Sequence, residues 1–237
     1  MENEVAGMSS FRSADQEYYS NRYRNRADRW SNREETSAVS SGLKEILSKT
    51  AIESKPLTLL DIGCGRMPVT FPLLHKFSNL RILGIDWALN EVLTAYPDFE
   101  YQITAIQHIS VISADFMSFR CIPRFNVAVD LGTFHHIAPF DWRKYTEQLS
   151  RLIRDDSHFL LESFHPDDAN WHKRESGGHS RKGYYCHYHD VNSIKEIFGK
   201  LFTGIQELLR PQNWEHVTAI YHMSNADKAI PSPHHRA

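Results

Sequence analysis

Cysteine is scarce in this chain: 237 residues hold three, Cys64, Cys121 and Cys186. They cannot pair completely and show no metal-ligand spacing, which excludes a disulfide scaffold and predicts a reducing, intracellular compartment. Long apolar runs are missing as well. Nothing approaches membrane-spanning length, and the opening residues MENEVAGMSSFRSADQEYY lack a signal peptide's apolar core. A soluble, cytoplasmic protein is therefore expected. Charge of one sign is also absent, since 27 Lys and Arg against 29 Asp and Glu leave a formal net charge of −2. That balance excludes a surface built wholly to hold nucleic acid, while leaving room for a local basic patch. No internal repeat is present. What remains is a length suited to one large α/β domain with a decorated terminus.

The texture of the chain changes near Leu57. Before it, residues 1–10 read as loosely ordered, and the polar stretch Phe11–Arg33 carries Tyr18, Tyr19, Tyr23 and Trp30 among six arginines. Tyr19, Tyr23 and Trp30 recur at spacings of four and seven, so one helix would show all three on one face, as surface packing or as a lid. Residues 36–49 form a second helix with Val39, Leu43, Ile46 and Leu47 as its apolar stripe. From Leu57 onward short strands alternate with helices. Strands are expected at Leu57–Ile62, Leu80–Ile85, Ile106–Ser113, Phe125–Leu131 and His158–Phe164, and two closing strands at Gly204–Leu209 and His216–His222. Helices are expected from Pro68 to Phe77, Ala88 to Tyr96, Phe140 to Ile153 and, after an Asp190 cap, through Lys200. This alternation predicts a Rossmann-like, doubly wound, seven-stranded and mostly parallel sheet with an N-terminal helical extension.

Two strand ends carry the chemistry. Leu59-Leu60-Asp61-Ile62-Gly63-Cys64-Gly65 is a buried strand running into a glycine turn, where backbone can approach a ligand closely. The next strand ends at Asp86, a carboxylate placed to hold the two hydroxyls of a ribose. A dinucleotide site wants a third glycine, but the series here runs Gly63-Cys64-Gly65-Arg66-Met67-Pro68. Pro68 removes an amide that a pyrophosphate would use, and Asp61 would repel phosphate and attract an ammonium group. A nucleoside ligand with a cationic amino-acid end fits better than a nicotinamide dinucleotide. S-adenosylmethionine is such a ligand.

These residues give the chain its resemblance to the class I S-adenosylmethionine-dependent methyltransferases, over about Leu57 to Tyr221. Asp61-Ile62-Gly63-Cys64-Gly65 is similar to that superfamily's first motif, Gly84-Ile85-Asp86 to the second and Ser113-Ala114-Asp115-Phe116 to the third. The resemblance implies that Asp86 binds ribose, that Asp115 meets the adenine amino group and that Phe116 flanks the ring, with Ala114 a further cofactor-binding residue. Trp87 is placed to stack on adenine or to cover the sheet edge, and Tyr23 to close the cofactor pocket. Val129-Asp130-Leu131-Gly132-Thr133-Phe134-His135-His136-Ile137-Ala138-Pro139 resembles the D-x-G-x-F-H-H-x-x-P stretch of thiopurine and tellurite-resistance type small-molecule methyltransferases. Leu131 replaces the arginine common there. Arg154-Asp155-Asp156-Ser157 replaces the usual Pro-Gly-Gly turn, and the signature of amino-methyltransferases is missing.

The implied function is methyl transfer to sulfur, oxygen or nitrogen of a small molecule. His135 and His136 are the candidate bases, since an imidazole titrates near neutral pH. Tyr19, Trp30, His165 and Trp171 are candidate substrate residues. Residues 165–189, rich in histidine and aromatics, form a substrate-covering loop, because Pro166 and Gly177-Gly178 interrupt any helix. Cys186, His187 and His189 lack a compact zinc spacing, so no metal is assigned. Cys64 is explained by packing. The expected organisation is a helical extension or lid at 1–50, a methyltransferase domain at 51–224 and a flexible tail at 225–237. The molecule would act as a monomer or homodimer. Two alternatives stay open: an RNA or protein methyltransferase using Arg22, Arg24, Arg26, Arg29 and Arg33, and a non-catalytic S-adenosylmethionine-binding module.

Overall fold

In the computed structural model, residues 16–28, 38–53, 56–120, 124–168, 178–179, 185–209, 212–213 and 216–225 are described. The strands β1 (Leu57–Ile62) and β4 (Phe125–Leu131) are buried almost throughout, because helices cover both faces of the sheet. Around them lie β2 (Leu80–Asp86), β3 (Ile109–Ser113), β5 (Ile153–Phe164), β6 (Gly204–Leu209) and β7 (His216–Ser224). The order is β3-β2-β1-β4-β5-β7-β6, and β7 alone among these seven runs opposite to the other six. The chain steps outward from β1 to β2 and β3, then crosses back to place β4 on the other side of β1, so a crevice opens at the carboxyl ends of β1 and β4.

One face of the sheet packs α2 (Ala38–Glu53), α3 (Leu89–Ala95) and α4 (Pro97–Thr104) against Leu57, Leu59, Val127, Val129 and Leu160. The expected stripe of Val39, Leu43, Ile46 and Leu47 is buried there. The other face packs α5 (Pro139–Leu152) and α6 (Val191–Phe198) against Leu60, Ile62, Ala128, Phe159 and Leu161. Asp190 caps α6, accepting from the Ser193 amide at 2.8 Å. No helix among the described residues is long and apolar enough to cross a membrane.

Three expectations need correction. Pro68 does not open a helix: residues 68–70 form turns, and only a 3-10 helix, Phe71–His75, follows. An α-helix from Pro68 would need an amide from Pro72 to bond the Pro68 carbonyl, and proline has none. Residues 97–104, for which no element is expected, form α4, opened by Pro97 at its first position with Asp98 and Glu100 in its first turn. The N-terminal helix α1, residues 16–24, ends before Trp30, and Arg26 beyond it takes a positive φ of 48°. Tyr19 and Tyr23 therefore share that helix, and Trp30 lies outside the described residues. Strand starts also moved, to Ile109 for β3 and Ile153 for β5. Residues 1–10, Cys121, Trp171, His172 and 226–237 lie outside the described residues.

Candidate active site

Three buried carboxylates gather around the turn after β1. Asp86, at the end of β2, receives the Gly65 amide on one oxygen at 2.9 Å and the Ala88 amide on the other at 2.8 Å. The turn is held from behind as well, because the Gly63 and Cys64 amides both donate to the Ile85 carbonyl, at 2.8 and 3.1 Å. Asp61 accepts from the Thr70 hydroxyl at 2.5 Å. Asp130, at the end of β4, accepts on one oxygen from the amides of Gly132, Thr133 and Phe134 and on the other from the Tyr145 hydroxyl at 2.6 Å.

None of these three pairs with a cationic side chain among the described residues, and the electrostatics follow from that. Burial pushes Asp61 up to about 7; the Thr70 hydroxyl opposes this, while Asp130 and Asp86 add to it. Burial raises Asp130 to about 6, against the pull of Tyr145 and the three amides. Asp86 is raised by burial, against its two amide donors. Carboxyls raised by burial lack a compensating positive charge, and an incoming cation would favour their ionised form.

The glycines of the turn do more than admit a ligand. Gly63 has φ 65°, and a Cβ there would lie 1.7 Å from the Thr133 hydroxyl oxygen. Gly65 has φ 48°, and a Cβ there would lie 2.6 Å from the Tyr23 hydroxyl. Side chains from the β4 turn and from α1 thus occupy the space each glycine leaves. Gly63→Ala is expected to destabilise the fold by about 2–5 kcal/mol, combining left-handed strain with overpacking. Denaturant melts of that variant and of Gly63→Ala with Thr133→Gly check it: partial recovery in the double variant is the expected result, and equal stabilities would refute the clash. Cys64 packs its sulfur over Gly84, 2.8 Å from where a Cβ would stand, in accord with a packing role.

Tyr23 is buried, and Tyr19, one turn earlier, is half-buried. The Tyr19 ring centroid lies 6.5 Å from that of Trp87 and 5.2 Å from that of His136. Beyond the helix, Asp28 accepts a short hydrogen bond from Tyr96, and the guanidiniums of Arg66 and Arg26 lie over the Tyr96 ring at 4.0 and 5.6 Å. Arg24 pairs with Glu91 at 2.9 Å. Arg24 and Arg26 thus tie α1 to the α3–α4 side of the molecule.

The two histidines differ. The His136 Nδ1 lies 2.6 Å from the Tyr185 carbonyl, which can only accept, so that nitrogen carries the proton and Nε2 presents its lone pair in the neutral ring. His135 is buried and stacks on Phe164, centroids 3.9 Å apart at 25°. The 185–190 segment is stitched to this turn by bonds from the His187 amide to the His135 carbonyl, 2.7 Å, and from the His189 amide to the Phe164 carbonyl, 2.8 Å. Burial holds His189 well below the usual imidazole range, and His187 next to it adds to the effect. Residues 178–179 and 185–186 form a short hairpin within the region expected to be a loop.

Other expected site residues fall into place with varied surroundings. The Ala114 amide donates to the Asp86 carbonyl at 3.2 Å, and Asp115 is half-buried and receives the Met117 amide at 2.9 Å. Phe116 is buried against Tyr145, ring centroids 4.9 Å apart. His165 is buried where β5 meets β7, its Nδ1 accepting from the Asp167 amide at 3.1 Å and its amide bonding Val217. Thr70, Thr133, Tyr145, Phe164 and Tyr185 were not expected. Phe164, the last residue of a strand ending at the crevice, and Thr133, inside the Asp130–His136 stretch, had a signal; the others touch the site from elsewhere in the chain.

Residues 59–156 match a methyltransferase-domain family. The matched segment runs from β1 into β5 and contains the three carboxylates and both histidines. No functionally curated protein matches the chain by sequence. Among solved structures, it is similar to Burkholderia thailandensis 1,6-didemethyltoxoflavin-N1-methyltransferase with bound 1,6-didemethyltoxoflavin and S-adenosylhomocysteine. The TM-score is 0.69 at 16% identity, covering 92% of this chain and 90% of that one. A SAM-dependent methyltransferase from Aquifex aeolicus gives 0.56 at 16% identity, covering 86% and 98%. The N-methyltransferase NodS from Bradyrhizobium japonicum, in complex with S-adenosylhomocysteine, gives 0.55 at 15% identity, covering 79% and 86%. The chain thus has the Rossmann-like α/β fold of class I methyltransferases.

Proposed function

We propose that this methyltransferase draws its methyl group from S-adenosylmethionine and passes it to a sulfur, oxygen or nitrogen atom of a small molecule. The observation that carries the reading is the set of buried carboxylates around the β1 turn, none of them paired with a cation among the described residues. Asp61 is suited to the ammonium group, Asp86 to the ribose hydroxyls, and Asp115 with Ala114 to the adenine. When bound, the cofactor supplies a methyl group on a positively charged sulfur, which an acceptor atom takes as the carbon–sulfur pair stays on sulfur. The chain contributes positioning and exclusion of water, which supply roughly 7–11 kcal/mol in such reactions. His136, its ring fixed through Nδ1, takes at Nε2 the proton the acceptor loses. The N-terminal extension acts as a cover through α1, with Tyr23 closing the glycine turn and Tyr19 closing the mouth. The His135-His136 stretch, shared in pattern with thiopurine and tellurite-resistance type enzymes, supports a small acceptor, as does the use of Arg24 and Arg26 within the fold.

The test is proton-linked binding. Folding raises Asp61 to about 7, so between about pH 4 and pH 7 the folded chain holds a proton that the unfolded chain has lost. The stability associated with that proton is fully present at low pH and disappears as pH rises through the folded value. A bound ammonium favours the carboxylate and expels the proton. Cofactor affinity should therefore rise about tenfold from about pH 6 to about pH 8, with a proton released into the buffer. Calorimetry of S-adenosylmethionine binding in buffers of different ionisation enthalpy measures both. PH-independent affinity with no proton release would refute the ammonium assignment, and no binding by folded protein would refute the cofactor.

A further inference from the structure

We infer that Asp130 and Tyr145 are positioning residues for the base: together they hold the turn that sets the spacing between His136 and the glycine turn. The inference rests on the methyltransferase reading above. It gives a task to the one carboxylate of the three that this reading leaves without a ligand group.

A carboxylate at the end of β4, beside the strand of Asp61, invites a place in the cofactor pocket. Its oxygens are committed elsewhere. One draws in the amides of Gly132, Thr133 and Phe134 at 3.2, 2.7 and 3.1 Å, and the other takes the Tyr145 hydroxyl at 2.6 Å. By strand alternation Asp130 shares the face of Ala128, which packs α5, while Asp61 shares the opposite face with Leu57 and Leu59. Burial favours the neutral acid at Asp130, and all four donors oppose it by stabilising the charged form. Amides that converge on a carboxylate oxygen form charge-assisted hydrogen bonds, the strong kind.

The turn so capped joins the two halves of the site. Thr133 rests its side chain in the space beside Gly63 and donates from its hydroxyl to the Ile62 carbonyl at 3.4 Å. The His136 amide bonds back to the Thr133 carbonyl at 2.9 Å, so the base lies one turn of 3-10 helix beyond the residue that meets the glycine turn. The back of the turn is fixed from α5 and α6. Phe134 packs between Tyr145 and Phe198, with ring centroids 4.9 and 5.0 Å away, and the Trp142 indole donates to the Ile137 carbonyl at 2.9 Å. Asp130 thus acts on the amino-terminal end of the turn and Tyr145 locks Asp130. A base must stand within hydrogen-bond reach of the proton it takes, and a displacement of about 1 Å can cost about a hundredfold in rate.

Two variants test the pair in the full chain. Tyr145→Phe removes one oxygen and keeps the ring that packs on Phe116 and Phe134. Asp130→Asn keeps the shape and removes the charge. The readouts are amide hydrogen exchange, nitrogen NMR of the imidazoles with His136 assigned by its loss in His136→Gln, and calorimetry with S-adenosylhomocysteine. Exchange at residues 132–136 is expected to quicken about tenfold or more in both variants, with that of β1 and β2 changed less than about twofold. His136, a single Nδ1–H tautomer in the wild type, is expected to become a mixture, while S-adenosylhomocysteine affinity changes less than about twofold. Exchange unmoved at 132–136 in both variants, a single tautomer retained in both, faster exchange spread evenly over the sheet, or two variants that do not fold overturns the inference. A loss of S-adenosylhomocysteine affinity as large as the gain in exchange also overturns it, and places Asp130 in the cofactor pocket. Where one variant fails to fold, the other gives the same readouts. A folded wild type that binds no S-adenosylhomocysteine overturns the cofactor assignment instead; exchange and tautomer need no ligand and still decide whether the pair holds His136.

Discussion

Asp86→Ala is expected to abolish measurable S-adenosylmethionine binding, weakening it by about a hundredfold or more. Two effects combine. The carboxylate is the acceptor proposed for the ribose hydroxyls, and hydrogen bonds to a charged group are each worth about 1.5–3 kcal/mol. The same two oxygens also hold the Gly65 and Ala88 amides, at 2.9 and 2.8 Å, and so shape the turn that would cradle the amino-acid end. Asp86→Asn separates the effects. It retains one acceptor oxygen and the volume of the side chain, so an intermediate affinity is expected. Calorimetric titration of the wild type and both variants, with a circular-dichroism melt to establish folding, makes the measurement. Wild-type affinity in a folded alanine variant would remove Asp86 from the site.

His136→Gln should lower kcat for methyl transfer by about a hundredfold to ten-thousandfold, the usual contribution of a positioned acid–base group, with little change in KM. Glutamine can still donate to the Tyr185 carbonyl, so the local fold is preserved while the basic nitrogen is lost. His135→Gln should act less and mainly through packing, since its ring is buried against Phe164. With a thiol acceptor, raising the pH should restore much of the lost rate, because the thiolate forms without a base. The readout is S-adenosylhomocysteine release across a pH series. An unchanged kcat in His136→Gln at neutral pH would show that no base is needed at that position.

The parts of the fold legible in the sequence were those set by local pattern. β1, β4 and β6 have the bounds expected from their apolar runs, and Asp190 caps α6 as its side-chain chemistry predicts. The misses have local causes as well. Pro72 prevents the helix expected from Pro68, and Pro97 with two acidic residues behind it was a helix start passed over. Arg26 ends the first helix turn by adopting a conformation that no side-chain pattern announces. At the site, Asp61, Asp86 and Asp130 were readable because strand ends in a doubly wound sheet converge on one crevice. Thr70 and Tyr145, which satisfy two of those carboxylates, were not, since each is brought in by helix or turn packing across the domain.

By itself the sequence determined the strand–helix alternation, the positions of the acidic strand ends, and the absence of a phosphate-binding glycine pattern. Periodicity and backbone chemistry act over a few residues, and a linear reading captures them. The tertiary structure alone decided which histidine presents a lone pair, since that depends on a carbonyl 49 residues away. It alone placed Thr133 and Tyr23 in the spaces left by Gly63 and Gly65, and brought Tyr19 of α1 beside Trp87 and His136. Those contacts join separate elements through the packing of the sheet, and distance in the sequence carries no information about distance in the folded chain.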